Sequence, residues 1–80
     1  MTREEVEMKV VEVLSEVLAL DPSEVTLESD LRGDFNASSL DLVQLLWTLE
    51  DELNEEIPDD VIDSFHSAND IVEYIVTKQT

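Results

Sequence analysis

Apolar residues recur along this chain at helical spacing. Val6, Val10, Val13, Leu14, Val17 and Leu18 follow one another at intervals of 4, 3, 1, 3 and 1, one face of an amphipathic helix with glutamates between. Thr2 followed by Glu5 has the spacing of a capping box, and Asp21-Pro22 cannot continue a helix, so the pattern predicts a first helix over residues 3–19. The many valines lower intrinsic helix propensity, but the 3.6-residue period fits far better than strict alternation. Leu42, Leu45, Leu46, Leu49 and Leu53 repeat the pattern at 3, 1, 3 and 4, flanked by Asp41, Gln44, Glu50, Asp51 and Glu52, and predict a second helix over 39–54. Ile57-Pro58-Asp59-Asp60 puts proline and two acids where a new helix starts. With Val61, Ile62 and Phe65 behind it, a third helix of one or two turns is expected. Ser67, three residues before Asp70, caps a final helix carrying Ile71, Val72, Tyr74 and Ile75.

Residues 20–38 show no sustained period. Val25, Leu27, Leu31 and Phe35 are spaced as anchors, and Asp21-Pro22-Ser23-Glu24 reads as a capped single turn, so this connection is expected to be ordered without regular structure. One glycine, two prolines and no repeat disfavour a sheet with many tight turns. The fold class that follows is all-α: a small four-helix bundle, three main helices plus a short third, with a long ordered loop between the first and second. A single domain over residues 1–80 is expected, with a surface of about 4,900 Å² and a radius of roughly 12 Å.

Charge changes the picture. Four Lys and Arg stand against 21 Asp and Glu, a net charge of -17. Arg3, Lys9, Arg32 and Lys78 are scattered singly, so nothing assembles the cationic surface that a nucleic acid requires, and partners are expected to be basic. With 42% hydrophobic residues the chain carries more core material than a disordered acidic tail. It contains no cysteine, hence no disulfide, thiolate nucleophile or zinc-thiolate site. No apolar stretch is long enough for an export signal or a membrane span, and the expected compartment is the cytoplasm.

Little else suggests chemistry of the chain's own. The sole histidine, His66, falls in a junction before the last helix, without a nucleophile beside it. The acids are too numerous for any pair to stand out. The window Asp30–Asp41 fails as a calcium loop, with Arg32 at its third position, Phe35 where glycine is required and Asp41 in place of a bidentate glutamate. No metal site and no enzymatic activity are expected.

One segment is informative. Asp34-Phe35-Asn36-Ala37-Ser38-Ser39-Leu40-Asp41-Leu42-Val43-Gln44-Leu45 delivers a serine to the start of an acidic amphipathic helix. It resembles the attachment motif of the acyl carrier protein family, Asp-Ser-Leu preceded by Leu-Gly, and the likeness runs from the first helix through Ile57-Pro58-Asp59 to Tyr74. The resemblance implies that Ser39 bears a 4'-phosphopantetheine arm, taken from coenzyme A, whose thiol holds an acyl group as a thioester. A phosphodiester there would sit at a helix N-terminus, which favours anions. Serine at a helix start is also a common cap. Register with Leu40-Asp41 assigns attachment to Ser39 and leaves Ser38 as the better cap. Asn36 stands where the family has glycine, a substitution that asparagine's tolerance of left-handed angles permits. Ser38 stands where the family has an aspartate that helps the arm-installing transferase recognise its target.

The resemblance also maps partner-facing positions onto Leu40, Asp41, Val43, Gln44, Trp47, Glu50 and Asp51, continuing at Asp59, Asp60 and Asp63; Gln44 replaces the usual acid. The family's acyl chain, where sheltered, lies between the second and third helices, making Leu49, Ile57, Ile62 and Phe65 candidates, although as apolar residues at helical spacing they are core first. Trp47 lies at the margin of the core stripe and either folds onto the core edge or stands exposed as a partner anchor. The implied function is a monomeric, non-catalytic shuttle for fatty-acid, polyketide or specialised acyl metabolism. Its partners would be a phosphopantetheinyl transferase and acyl-transferring or acyl-modifying enzymes with basic patches. The alternative is an unmodified interaction module of the same fold that uses its acidic second helix.

Overall fold

A computed structural model describes residues 2–79, the side chains of Asp59, Ile62 and Gln79 excepted. Three α-helices, α1 (Arg3–Val17), α2 (Ser39–Leu53) and α3 (Ala68–Gln79), are joined by a long loop containing the 3-10 turn Pro22–Glu24 and by a 3-10 helix, Asp59–Ser64. The all-helical bundle matches the sequence expectation, with the short third helix wound as 3-10. Proline at its start and six residues of length suit that tighter form, which is used in short pieces. The surface measures 4734 Å² and the Cα radius of gyration is 11.2 Å.

α1 begins as expected. Thr2 Oγ1 accepts from Glu5 N–H at 3.2 Å and Glu5 Oε1 accepts from Thr2 N–H at 3.0 Å, a reciprocal capping box. It ends two residues earlier than the pattern suggests. Leu20 N–H donates to the Ser15 carbonyl at 2.9 Å, and Ala19 takes a left-handed φ of 55°, closing the last turn before Asp21-Pro22. α2 stops the same way one residue short of expectation, with Asn54 at φ 54° and Glu55 N–H donating to the Glu50 carbonyl at 3.3 Å. In both cases apolar periodicity continues past the point where the backbone turns, because Leu18 and Leu53 still pack on the core from outside the regular helix or at its last residue.

Val6, Val10, Val13 and Leu14 of α1 meet Leu42, Leu45, Leu46 and Leu49 of α2 and Ile71, Val72 and Ile75 of α3 in one core, all fully buried or nearly so. Each such side chain contributes roughly 1.5–3 kcal/mol by leaving water. The long loop is stitched to that core. Val25 and Leu31 are buried, and Leu27 and Phe35 pack against it. Asn69 N–H donates to the Leu27 carbonyl and Leu31 N–H to the His66 carbonyl, both at 2.8 Å, and Asp30 forms an isolated antiparallel bridge with Ser67. α3 opens on Ser67 as expected. Asp70 Oδ2 accepts from Ser67 N–H at 3.2 Å and from His66 N–H at 2.9 Å.

Two cations fasten helix to helix, and a third ties α3 to the loop after α2. Arg3 binds Glu7 at 3.2 Å on its own helix and Glu73 at 2.6 Å on α3, and Lys9 binds Glu52 on α2 at 3.1 Å. The guanidinium of Arg3 and the ammonium of Lys9 are held above their ordinary pKa, chiefly by hydrogen bonding to Glu73 and to Glu52 respectively. Lys78 Nζ donates to the Glu56 carbonyl and lies 5.9 Å from the centre of the Tyr74 ring.

Candidate functional site

The two adjacent serines at the start of α2 have different surroundings. Ser38 is the N-cap. Its Oγ accepts from Asp41 N–H at 3.2 Å, while its own N–H donates to Asp41 Oδ2 at 3.0 Å. Asp thus replaces Glu in a capping box, as it does at Ser67, and reaches because the N-cap amide lies close to the first turn. Ser39 is the first helical residue. It is exposed, and its Oγ makes no hydrogen bond among the described residues. A free primary hydroxyl therefore stands at the end of α2 where unpaired backbone N–H groups and the helix dipole favour an attached anion. The approach to this end passes through Asn36, whose φ of 56° is left-handed, and through the buried Ala37. Asparagine takes such a backbone at modest cost, so the turn keeps its shape without glycine.

These features suit a phosphodiester on Ser39: a solvated hydroxyl, a neighbour that supplies the cap, and room for a substituent. Ser38, by contrast, would have to give up its cap in order to react. Register distinguishes the two serines in the sequence; the hydrogen bonds distinguish them physically.

Further along α2, the outward positions form one surface. Leu40 is 67% exposed and Trp47 58% exposed, so the tryptophan stands out from the core edge rather than folding onto it. Val43 is half-buried against the core, Gln44 is exposed, Glu50 is half-buried and Asp51 is exposed. Asp41 is half-buried, with a carboxylate oxygen already engaged by the Ser38 amide. A groove of about 520 Å³ runs beside Trp47 between Glu50, Asp51, Asn54, Glu55 and Glu56. Asp60 and Asp63 are exposed on the 3-10 helix, whereas Asp59 and Ile62 lie outside the described residues as far as their side chains are concerned. Leu49, Ile57 and Phe65 are all buried in the core cluster. Phe65 also meets Tyr74 edge-on, with ring centroids 5.7 Å apart and planes at 72°. These three hold the fold as it stands.

No group of three or more His, Cys, Asp or Glu among the described residues is arranged to hold a metal ion. No helix among them is long and apolar enough to cross a membrane.

Residues 9–75 match the phosphopantetheine attachment site family. An acyl carrier protein from Rubrobacter xylanophilus is 41% identical over 80 residues, covering 100% of this chain and 99% of that protein. The chain belongs to the acyl carrier protein family. The acyl carrier protein of Clostridium perfringens is 42% identical over 67 residues, covering 84% of this chain and 88% of its own. In three dimensions an acyl carrier protein from Enterococcus faecalis superposes with a TM-score of 0.77 at 34% identity, over 96% of this chain and 98% of the other. The family's attachment site and the free hydroxyl of Ser39 fall in the same matched span. Sequence reasoning missed the fastening contacts of Arg3 and Lys9 and the aspartate-built turn before the serines. Long-range partners leave no periodic signal, and with 21 acids to choose from, no particular pairing stands out.

Proposed function

We propose that this acyl carrier acts through Ser39, the attachment point of a 4'-phosphopantetheine arm derived from coenzyme A. When bound, the arm supplies the thiol that holds an acyl group as a thioester. The protein's own residues position that arm and present a charged surface to successive enzymes. The observation that carries this reading is the division of labour between the serines: Ser38 Oγ is engaged in the cap, and Ser39 Oγ is exposed and free. The chain works as one carrier domain that binds partners and performs no catalysis itself. Leu40, Asp41, Val43, Gln44, Trp47, Glu50 and Asp51 offer partners an apolar and acidic face, extended by the exposed Asp60 and Asp63. The partners that fit are a phosphopantetheinyl transferase and acyl-handling enzymes with basic patches, as in fatty-acid, polyketide or specialised acyl metabolism.

Intact mass after incubation with coenzyme A and a broad-specificity phosphopantetheinyl transferase tests the reading. One arm's mass should be gained by the wild type and by Ser38→Ala, and none by Ser39→Ala. No gain with any of several transferases would instead favour an unmodified interaction module built on the same acidic helix.

A further inference from the structure

Of the four cations set against 21 acids, three hold elements together and one does not. Arg32 is exposed, and its guanidinium makes no ion pair or hydrogen bond among the described residues. The carboxylates nearest in sequence are committed to the loop's own backbone. Asp30 Oδ1 accepts from the Arg32 amide at 3.1 Å, and Asp34 Oδ2 accepts from the Asp30 amide at 2.9 Å. Asp34 N–H donates back to the Asp30 carbonyl at 2.8 Å. Gly33 completes this turn: a Cβ there would lie 3.0 Å from Asp30 Oδ2, a tight approach that asks the carboxylate to give slightly. The turn holds one oxygen of each aspartate on the backbone, and the arginine between them makes no direct ion pair among the described residues.

Its place in the fold is fixed as well. Leu31 is fully buried, and its N–H donates to the His66 carbonyl at 2.8 Å. The Leu31 carbonyl accepts from Ala37 N–H at 3.0 Å, so the chain doubles back, and Arg32 and Ser39 each lie within two residues of the same hydrogen bond. The anchored loop that carries Arg32 is thus tied by its backbone to the segment that leads into Ser39.

We propose that Arg32 is the protein's own counter-charge for the phosphodiester joined to Ser39, an inference that rests on arm attachment at that residue. A guanidinium remains charged at every working pH and presents a planar fork of donors that matches two phosphate oxygens at once. Attachment adds a further negative charge to a molecule already at -17, and Arg32 offsets it where it arises. Pairing at the root of the arm also narrows the directions from which the arm leaves the surface.

Wild type, Arg32→Gln and Arg32→Lys are loaded with the arm, checked by intact mass, and compared with their unloaded forms. At low salt, loading should depress the melting temperature of Arg32→Gln by about 2 °C more than that of the wild type, the size expected of one exposed ion pair in a domain this small. Arg32→Lys should recover part of the difference, and several hundred millimolar sodium chloride should abolish it. The phosphorus-31 resonance of the loaded protein should move on Arg32→Gln. Equal loading effects in wild type and Arg32→Gln, with an unmoved phosphorus resonance, would overturn the proposal. So would a dependence on Arg32 that is absent with the free-thiol arm and emerges only with a dicarboxylic acyl group, which would place Arg32 on the cargo. A chain that accepts no arm at all is a different result: it overturns attachment at Ser39, and this proposal with it.

Discussion

Ala19, Asn36 and Asn54 carry positive φ without being glycine, and they are not equivalent. Asparagine offsets part of the strain by local hydrogen bonding, whereas a left-handed backbone costs alanine roughly 1–2 kcal/mol. Ala19→Gly removes that strain and gives back roughly 0.4–1 kcal/mol through the freer unfolded chain. The balance predicts a gain of about 0.5–1 kcal/mol, read as a melting temperature higher by about 2–5 °C; a lower value would show that Ala19 is unstrained. At Trp47 the exposure of 58% makes a second expectation concrete. Neutral acrylamide should quench the indole fluorescence, iodide should do so less effectively because the molecule repels it, and a bound partner enzyme should protect it. Trp47→Ala should weaken that partner without preventing loading at Ser39.

At the scale of elements, the helices were readable because their apolar spacing and their caps agree. Thr2 with Glu5 and Ser67 with Asp70 mark helix starts in the sequence, where Ser38 is a cap candidate without a named partner, and all three form reciprocal bonds in the structure. Helix ends were read less well, since Ala19 gives no sign that it will adopt a glycine's backbone. Of the candidate site, the place of Ser39 at the start of α2 and the outward positions of that helix were legible, through the apolar period and the family resemblance. The Asp30–Asp34 turn and the isolation of Arg32 depend on which backbone amides the aspartates capture, and no spacing rule specifies that. The caps also respond to acid. The Glu5 carboxylate is held below its ordinary value of 4.5, first by the Thr2 amide and then by the Thr2 hydroxyl. A depressed carboxylate stabilises the fold above its ordinary pKa and loses that contribution as pH falls through the folded value. The Cα chemical shifts of residues 3–6 should therefore drift toward coil values below pH 4.5, and Glu5→Ala should show the drift already at neutral pH. A first turn insensitive to both would mean that the box contributes nothing.

For the whole molecule, two electrostatic effects oppose one another under added salt. Screening weakens the attachments made by Arg3 and Lys9, solvent-exposed pairs that each contribute little. It also weakens the mutual repulsion of a net charge of -17 spread over 4734 Å², and repulsion involves far more charges. Repulsion should win: the melting temperature should climb between millimolar and several hundred millimolar sodium chloride, more steeply per mole with magnesium, while partner binding weakens over the same range. A melting point indifferent to salt would mean that the two effects cancel. The scarcity of cations has one more consequence, for degradation. A protease that cleaves after lysine or arginine finds four sites in this chain, and only Arg32 lies in an exposed, non-helical segment. A single cut there would yield residues 1–32 and 33–80. The bonds from Leu31 to Ala37 and His66, the attachments of Arg3 and Lys9, and the shared core would still join the two pieces, so the nicked molecule should migrate as one body until it is denatured.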